Sequence, residues 1–451
     1  MKRRSTRLVK IGDVPVGAGH PISVQSMTNT RTSDAKATLE QIAELKAAGC
    51  EIIRVAVPDR AAVQALPKIV AEAGIPVVAD IHFNHQLAIA SARAGVQALR
   101  INPGNIGGRD RVLQVIRVCQ EKGIPVRIGV NSGSLEKDLK PEVSSESERK
   151  PDKDPEGRPA PETETQDKAT QIKETRNKKT QNKETQNKEN QNEENHLKNL
   201  QNKEAHVKNS QNKKSQVKKS QNTESQETET KNKHQTNQMA KALVASAARH
   251  IEYLTSEDFH DIIVSLKSSS VPETLEANRL FAERFDYPLH IGITESGAGR
   301  SGEIKSASGI AALLSQGLGD TVRVSLTGHP IQEVQVAYEI LASLGLRRRP
   351  GNLEIISCPT CGRTEIDLER IVREVRQALQ DRASNSESPP LTVAVMGCAV
   401  NGPGEAARAD IGLAGGKESG VIFRQGKIVK KVPEEELVSA LLEEIKKMEC
   451  E

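Results

Sequence analysis

GIPVVADIHFNHQLAIASARAGVQALRINPGN, residues 74–105, contains one full repeat of the pattern that decides the fold. The apolar run Pro76 to Ile81 reads as a buried strand and a helical stretch follows it. Ala94-Gly95 then offers a left-handed helix stop, and Gln97 to Ile101 opens the next strand.

The repeat extends in both directions. Candidate strands Ile22 to Met27, Ile52 to Val57 and Pro125 to Val130 flank it, and Asp261 to Lys267, Leu289 to Ile293 and Thr321 to Leu326 follow after a long interruption. Helical patterns lie between, for example Ala35 to Ala48, Ala61 to Ala73, Arg111 to Lys122 and Glu273 to Phe285. Gly49, Gly74, Gly95 and Gly123 each sit between a helix and the next strand. Eight short strands alternating with helices predict an α/β chain closed into a parallel (β/α)8, or TIM, barrel. An open doubly wound sheet is the alternative, but no Gly-x-Gly-x-x-Gly follows the first strand.

The interruption, residues 136–239, is made of Asn, Gln, Lys, Glu, Ser and Thr, and variants of Gln-Asn-Lys-Glu recur in it. No aromatic residue occurs between Phe83 and Tyr253. Such a tract buries too little apolar surface to offset its ordering entropy, so it is expected to be a disordered insertion. A coiled coil would need paired apolar heptad positions, and none is sustained. The expected divisions are 1–135 and 240–350 for the two parts of the barrel, 136–239 for the insertion and 351–451 for a small α+β domain. That last domain has a helix from Glu365 to Leu379, strands Leu391 to Met396, Val421 to Phe423 and Lys427 to Lys431, and a terminal helix from Glu434 to Met448.

A formal net charge of +4, with the signs interspersed, gives little support for nucleic-acid binding. No apolar stretch approaches the ~18 residues of a membrane span. Six cysteines in 451 residues do not form a secreted disulfide framework, and a cytoplasmic location is expected.

Barrel chemistry sits where strands end. Here Arg54, Arg100, Arg127 and Arg323 lie inside apolar strands, as does Lys267, with Asn102, Asn131 and Ser265 beside them. Five interior cations outnumber the acids expected to pair with them, Asp59, Asp80 and Glu295, and the excess suits a small ligand with two phosphoryl groups. His82, beside Asp80, and Glu295 are candidates for proton handling; for each, a structural contact is the plainer reading.

Cys358 and Cys361 form Cys-Pro-Thr-Cys, and Cys398 follows a predicted strand. A two-residue gap suits structural zinc, a redox dithiol or an iron-sulfur cluster. Zinc would require a fourth Cys or His, and none lies near Cys398. Glu405, seven residues on, could supply a hard and weakly held fourth ligand, or simply an acid at a helix N-terminus. Cys50 and Cys119 read as small buried apolar residues.

Ser26 to Thr30, Arg100 to Asn105, Gly292 to Glu295 and Met396 through Glu405 together resemble the bacterial 4-hydroxy-3-methylbut-2-enyl diphosphate synthase family, over about residues 7–135 and 240–448. The resemblance implies a barrel joined to a domain like those of sulfite and nitrite reductases, in a head-to-tail homodimer. It implies one [4Fe-4S] cluster per subunit on Cys358, Cys361, Cys398 and Glu405. The implied reaction is the reductive opening and dehydroxylation of 2-C-methyl-D-erythritol 2,4-cyclodiphosphate, with flavodoxin or ferredoxin as donor. Arg54, Arg100, Asn102, Arg127, Asn131, Ser265, Lys267 and Arg323 would hold the diphosphate, and Glu295, His82 and Asp80 would handle protons. The family gives the polar tract no function.

Overall fold

A computed structural model describes residues 2–141, 230, 232–348, 353–379, 389–398, 404, 406, 408–417 and 419–450. Most of the polar tract, and Glu405, lie outside the described residues.

Eight parallel strands make the barrel: β3 (Ser23–Met27), β4 (Ile52–Ala56), β5 (Val77–Ile81), β6 (Ala98–Ile101), β7 (Val126–Asn131), β8 (Ile262–Lys267), β9 (His290–Ile291) and β10 (Thr321–Val322). Their order is β8-β7-β6-β5-β4-β3-β10-β9, and a parallel bridge from Val264 to Leu289 joins the two edges. The last two strands are shorter than the sequence suggests, at two residues each.

Side chains alternate across the wall. Val24, Ile53, Val77, Leu99, Ile128 and Val264 point outward into the main core shared with the helices. The inward set changes character along the axis. At the N-terminal end Ile52, Val78, Ala98 and Ile263 pack against Val9, Ile11 and Val16. These last three belong to a hairpin not expected from sequence, β1 (Val9–Ile11) and β2 (Val14–Val16), which turns at Gly12 with φ of +56°. Burying three such side chains contributes roughly 1.5–3 kcal/mol each. The floor of the barrel is therefore apolar, and its polar interior belongs to the C-terminal half.

After β7 the chain makes two 3-10 turns, Ser132–Ser134 and Lys137–Leu139. It is helical again over 232–255. The two stems are cross-braced: Glu136 accepts from Ser246 Oγ and pairs with His250 Nε2, both at 2.8 Å, and Arg249 pairs with Asp138 at 2.7 Å. Burial would raise the Glu136 carboxyl, but its hydrogen bonds, foremost the one to His250, hold it at about 2.

The C-terminal domain is a five-stranded mixed sheet in sequence order: β11 (Leu353–Ser357), β12 (Leu391–Met396), β13 (Ile411–Ala414), β14 (Ser419–Arg424) and β15 (Lys427–Pro433). The first three are parallel and the last two antiparallel. Ile371 and Val375 of helix Leu368–Ala378, and Leu437, Leu441 and Ile445 near the C-terminus, cover one face. β11 and β13 extend the expected strand list.

Candidate functional site

The inward residues of the upper barrel form one charged cluster. Asp80 lies at its centre: its Oδ1 is 3.0 Å from Arg100 Nη1 and its Oδ2 is 3.5 Å from Arg54 Nε. Burial would raise the Asp80 carboxyl, but the adjacent Arg54 and Arg100 guanidiniums hold it far below the usual carboxylate range. Asp80 is thus a fixed anion that orients two cations. Burial and repulsion from neighbouring arginines push Arg54 down to about 9 despite Asp80, which leaves it charged at neutral pH.

Arg100 Nη1 also meets His82 Nε2 at 2.9 Å. A guanidinium can only donate, so His82 Nε2 is the acceptor in that contact. The His82 side chain is 45% exposed, at the mouth of the barrel. With its amide oriented to satisfy its neighbours, Asn131 accepts from Arg100 Nη2 at 3.3 Å. Asn102 Nδ2 donates to Ser134 Oγ at 2.7 Å, which ties two strand-end loops together.

Arg127 and Lys267 are buried and poorly compensated. Arg127 Nη1 donates to Gln25 across the barrel, while its Nε and Nη2 have no partner among the described residues. No carboxylate among the described residues lies within ion-pair distance of Lys267. Burial, then the nearby arginines, push Lys267 well below its ordinary value. His290, one layer down, is pushed well below its ordinary value by burial and by the nearby arginines and Lys267, and neither ring nitrogen has a partner among the described residues. Ser265 is buried within this inward set.

Two glycines make room for the cations. A Cβ on Gly129 would fall 2.4 Å from Arg100 Nε, and one on Gly292 would fall 2.8 Å from Lys267 Nζ.

The expected counter-ions are corrected in part. Asp59 caps helix Arg60–Glu72, its Oδ1 accepting from the Ala62 amide at 2.8 Å, and does not enter the cluster. Glu295 is exposed, with φ of +53°, a left-handed conformation that a non-glycine residue holds only at a cost. The second interior carboxylate is Glu333, which pairs with Arg323 at 3.1 Å. Among the described residues five cations therefore face two carboxylates, a surplus matched to an anionic ligand with several oxygens.

The cysteines occupy a separate edge. Parallel neighbours β11 and β12 end in register, Ser357 opposite Val395, so Cys358 and Cys398 leave the same edge of the sheet. Cys361 follows on the same loop as Cys358. The Gly397 amide donates to Cys358 Sγ at 3.2 Å, and the backbone and side chain of Arg363 lower the exposed Cys361 thiol. Among the described residues no three His, Cys, Asp or Glu side chains converge tightly enough to hold a metal ion as they stand. The donor set, three thiols on adjacent loops with an amide aimed at one sulfur, nonetheless fits an iron-sulfur group. Cys50 and Cys119 do not join it: burial pushes both thiols up to about 12.

The GcpE TIM-barrel domain matches residues 6–153 and 186–338, and the GcpE protein C-terminal domain matches residues 354–447. This chain belongs to the GcpE family. A 4-hydroxy-3-methylbut-2-en-1-yl diphosphate synthase (flavodoxin) of Thermodesulfovibrio yellowstonii is 43% identical over 447 residues, covering 99% of this chain and 100% of that one. The enzyme of the same name from Clostridium perfringens is 42% identical, covering 98% of each chain. Among solved structures, a dihydropteroate synthase from Stenotrophomonas maltophilia aligns with a TM-score of 0.41 at 10% identity, covering 72% of this chain and 94% of that one.

The starts of β11 and β12 line one cavity with Ile22, Gly49 and Glu51, which precede the barrel strands β3 and β4. The cysteines lie at the opposite ends of β11 and β12, and the cations at the opposite ends of the barrel strands. No helix among the described residues is long and apolar enough to cross a membrane.

Proposed function

We propose that this GcpE family chain is a 4-hydroxy-3-methylbut-2-enyl diphosphate synthase that acts on 2-C-methyl-D-erythritol 2,4-cyclodiphosphate. The observation that carries the reading is the surplus of buried cations in the C-terminal half of the barrel. Arg54, Arg100, Arg127, Lys267 and Arg323 grip the diphosphate, with Asn102, Asn131 and Ser265 filling the remaining hydrogen-bond positions. Gripping the phosphoryl oxygens fixes the carbon skeleton for reduction and excludes water from it.

The reaction takes up two electrons: the ring opens at a carbon-oxygen bond, a hydroxyl departs as water, and a carbon-carbon double bond forms. His82, at the mouth of the barrel, and Glu295, on its strained loop, are the two groups placed for proton exchange with the departing hydroxyl. Asp80 serves by orientation, since a carboxylate held so firmly ionised has no proton to give. A [4Fe-4S] cluster held by Cys358, Cys361, Cys398 and Glu405 would supply the electrons one at a time, drawn from reduced flavodoxin, with ferredoxin as the other candidate donor.

The separation of the two ends within one chain supports a head-to-tail homodimer, in which the cysteine edge of one subunit closes the barrel of its partner. Anaerobic incubation of the iron-loaded protein with the cyclodiphosphate and reduced flavodoxin is expected to release the linear diphosphate. A colourless protein that takes up only zinc and leaves the cyclodiphosphate intact would exclude the reading.

A further inference from the structure

Glu333 is a buried carboxylate in the first turn of its helix, a place that favours an acid but does not require it to be buried. It lies one turn into helix Pro330–Ser343, on the stripe formed by Pro330, Val334, Ala337 and Leu341, where an apolar side chain would ordinarily pack. The ladder between β10 and β3 ends at Val322 opposite Val24, one residue below Arg323. Just above that point Glu333 is met from both sides. Its Oε2 accepts from Ser26 Oγ at 3.0 Å on β3 and from Arg323 Nε at 3.3 Å; its Oε1 accepts from Arg323 Nη2 at 3.1 Å and from the Leu326 amide at 3.1 Å.

Four donors satisfy both oxygens, so the carboxylate has little freedom to move. The Arg323 side chain is 18% exposed, against 4% for Glu333, so the guanidinium has one edge fixed by the carboxylate and retains access to the pocket. A fork held on one edge presents its remaining N–H groups in a set direction, which a free arginine does only at an entropic cost. Asp80 does the same for Arg54 and Arg100 on the other side of the barrel.

The geometry points to Glu333 as the positioning residue of the site: through Arg323 it sets where the diphosphate sits, and through Ser26 and the Leu326 amide it locks the two strand ends that flank that arginine. This assignment rests on the reaction proposed above. A carboxylate that merely neutralised charge would oppose anion binding, so its removal would tighten the substrate; a positioning carboxylate gives the opposite sign.

The test measures KM and kcat for the cyclodiphosphate with iron-loaded Glu333→Gln, Arg323→Met and the double variant, alongside wild type. Loss of one charge-assisted contact that organises the site is expected to raise KM about tenfold in Glu333→Gln. Because Glu333 acts through Arg323, adding Glu333→Gln to Arg323→Met is expected to change KM less than twofold. Ser26→Ala, which alters no charge, is expected to raise KM about two- to threefold and covers the case in which Glu333→Gln does not fold. An unchanged or lowered KM in both Glu333→Gln and Ser26→Ala, or fully additive effects in the double variant, overturns the assignment. Wild-type protein that fails to convert the cyclodiphosphate would overturn the reaction instead, so the two failures are separable.

Discussion

Lys267→Met is expected to make the protein more stable and nearly inactive. Lys267 is buried, has no carboxylate within reach among the described residues, and shares the barrel interior with Arg54, Arg127, Arg323 and Arg100. Replacing an uncompensated buried cation by an apolar residue of similar length is expected to raise unfolding free energy by ~1–3 kcal/mol. The same change removes a point charge from the proposed diphosphate site and is expected to lower kcat/KM by about 10²–10⁴-fold. Denaturant unfolding and steady-state kinetics on one preparation check both halves. A destabilised variant with ordinary kinetics would show that Lys267 is structural.

The pH dependence follows from the same residue. Its lowered folded value, against an ordinary 10.5, means that the unfolded chain binds the extra proton across that interval, so stability rises with pH there. Methionine removes this slope. A diphosphate in the pocket favours the ammonium form, so ligand binding takes up a proton at pH values above the lowered one. Calorimetry of inorganic pyrophosphate binding in buffers of different ionisation enthalpy is expected to show that uptake in wild type and not in Lys267→Met.

Cys398→Ala is expected to abolish turnover, by at least about 10³-fold, without disturbing the barrel. Cys398 follows β12 in a domain with its own apolar core, separate from the clusters of the barrel. Iron and sulfide content should fall with activity, while pyrophosphate binding remains. Cys50→Ala and Cys119→Ala are the matching controls, since thiols held up at about 12 inside barrel packing are poor metal ligands and their removal should leave iron content intact. Loss of iron in the controls but not in Cys398→Ala would reverse the ligand assignment.

The barrel was legible because its strands are continuous apolar runs with glycine stops, and the cations were legible because arginine has no ordinary place in such runs. The N-terminal hairpin was not, since strands as short as Val9–Ile11 carry too little periodicity to register. Asp59 looked like a counter-ion from sequence but proved to be a helix cap, a role that the following Arg60-Ala61-Ala62 permits and strand-end position hides. Glu333 could have been found. Placing Pro330 to Ser343 on a helical wheel puts that glutamate on the buried stripe, where an acid signals a buried partner. No pattern in the chain pairs it with Arg323, because that contact depends on where the β10 ladder stops.

The composite character of the site is tested most directly by combining the two inactive chains. On the proposed head-to-tail dimer, co-expressed Lys267→Met and Cys398→Ala subunits would form mixed dimers, in which one barrel with its lysine faces one cysteine edge that is complete. If that edge closes the partner's barrel, activity is expected to return to about a quarter of wild type, since half the dimers are mixed and each holds one working site. If each chain worked alone, or if cations and cysteines served unrelated ends, the co-expressed protein would stay as inactive as either parent, which would contradict the account.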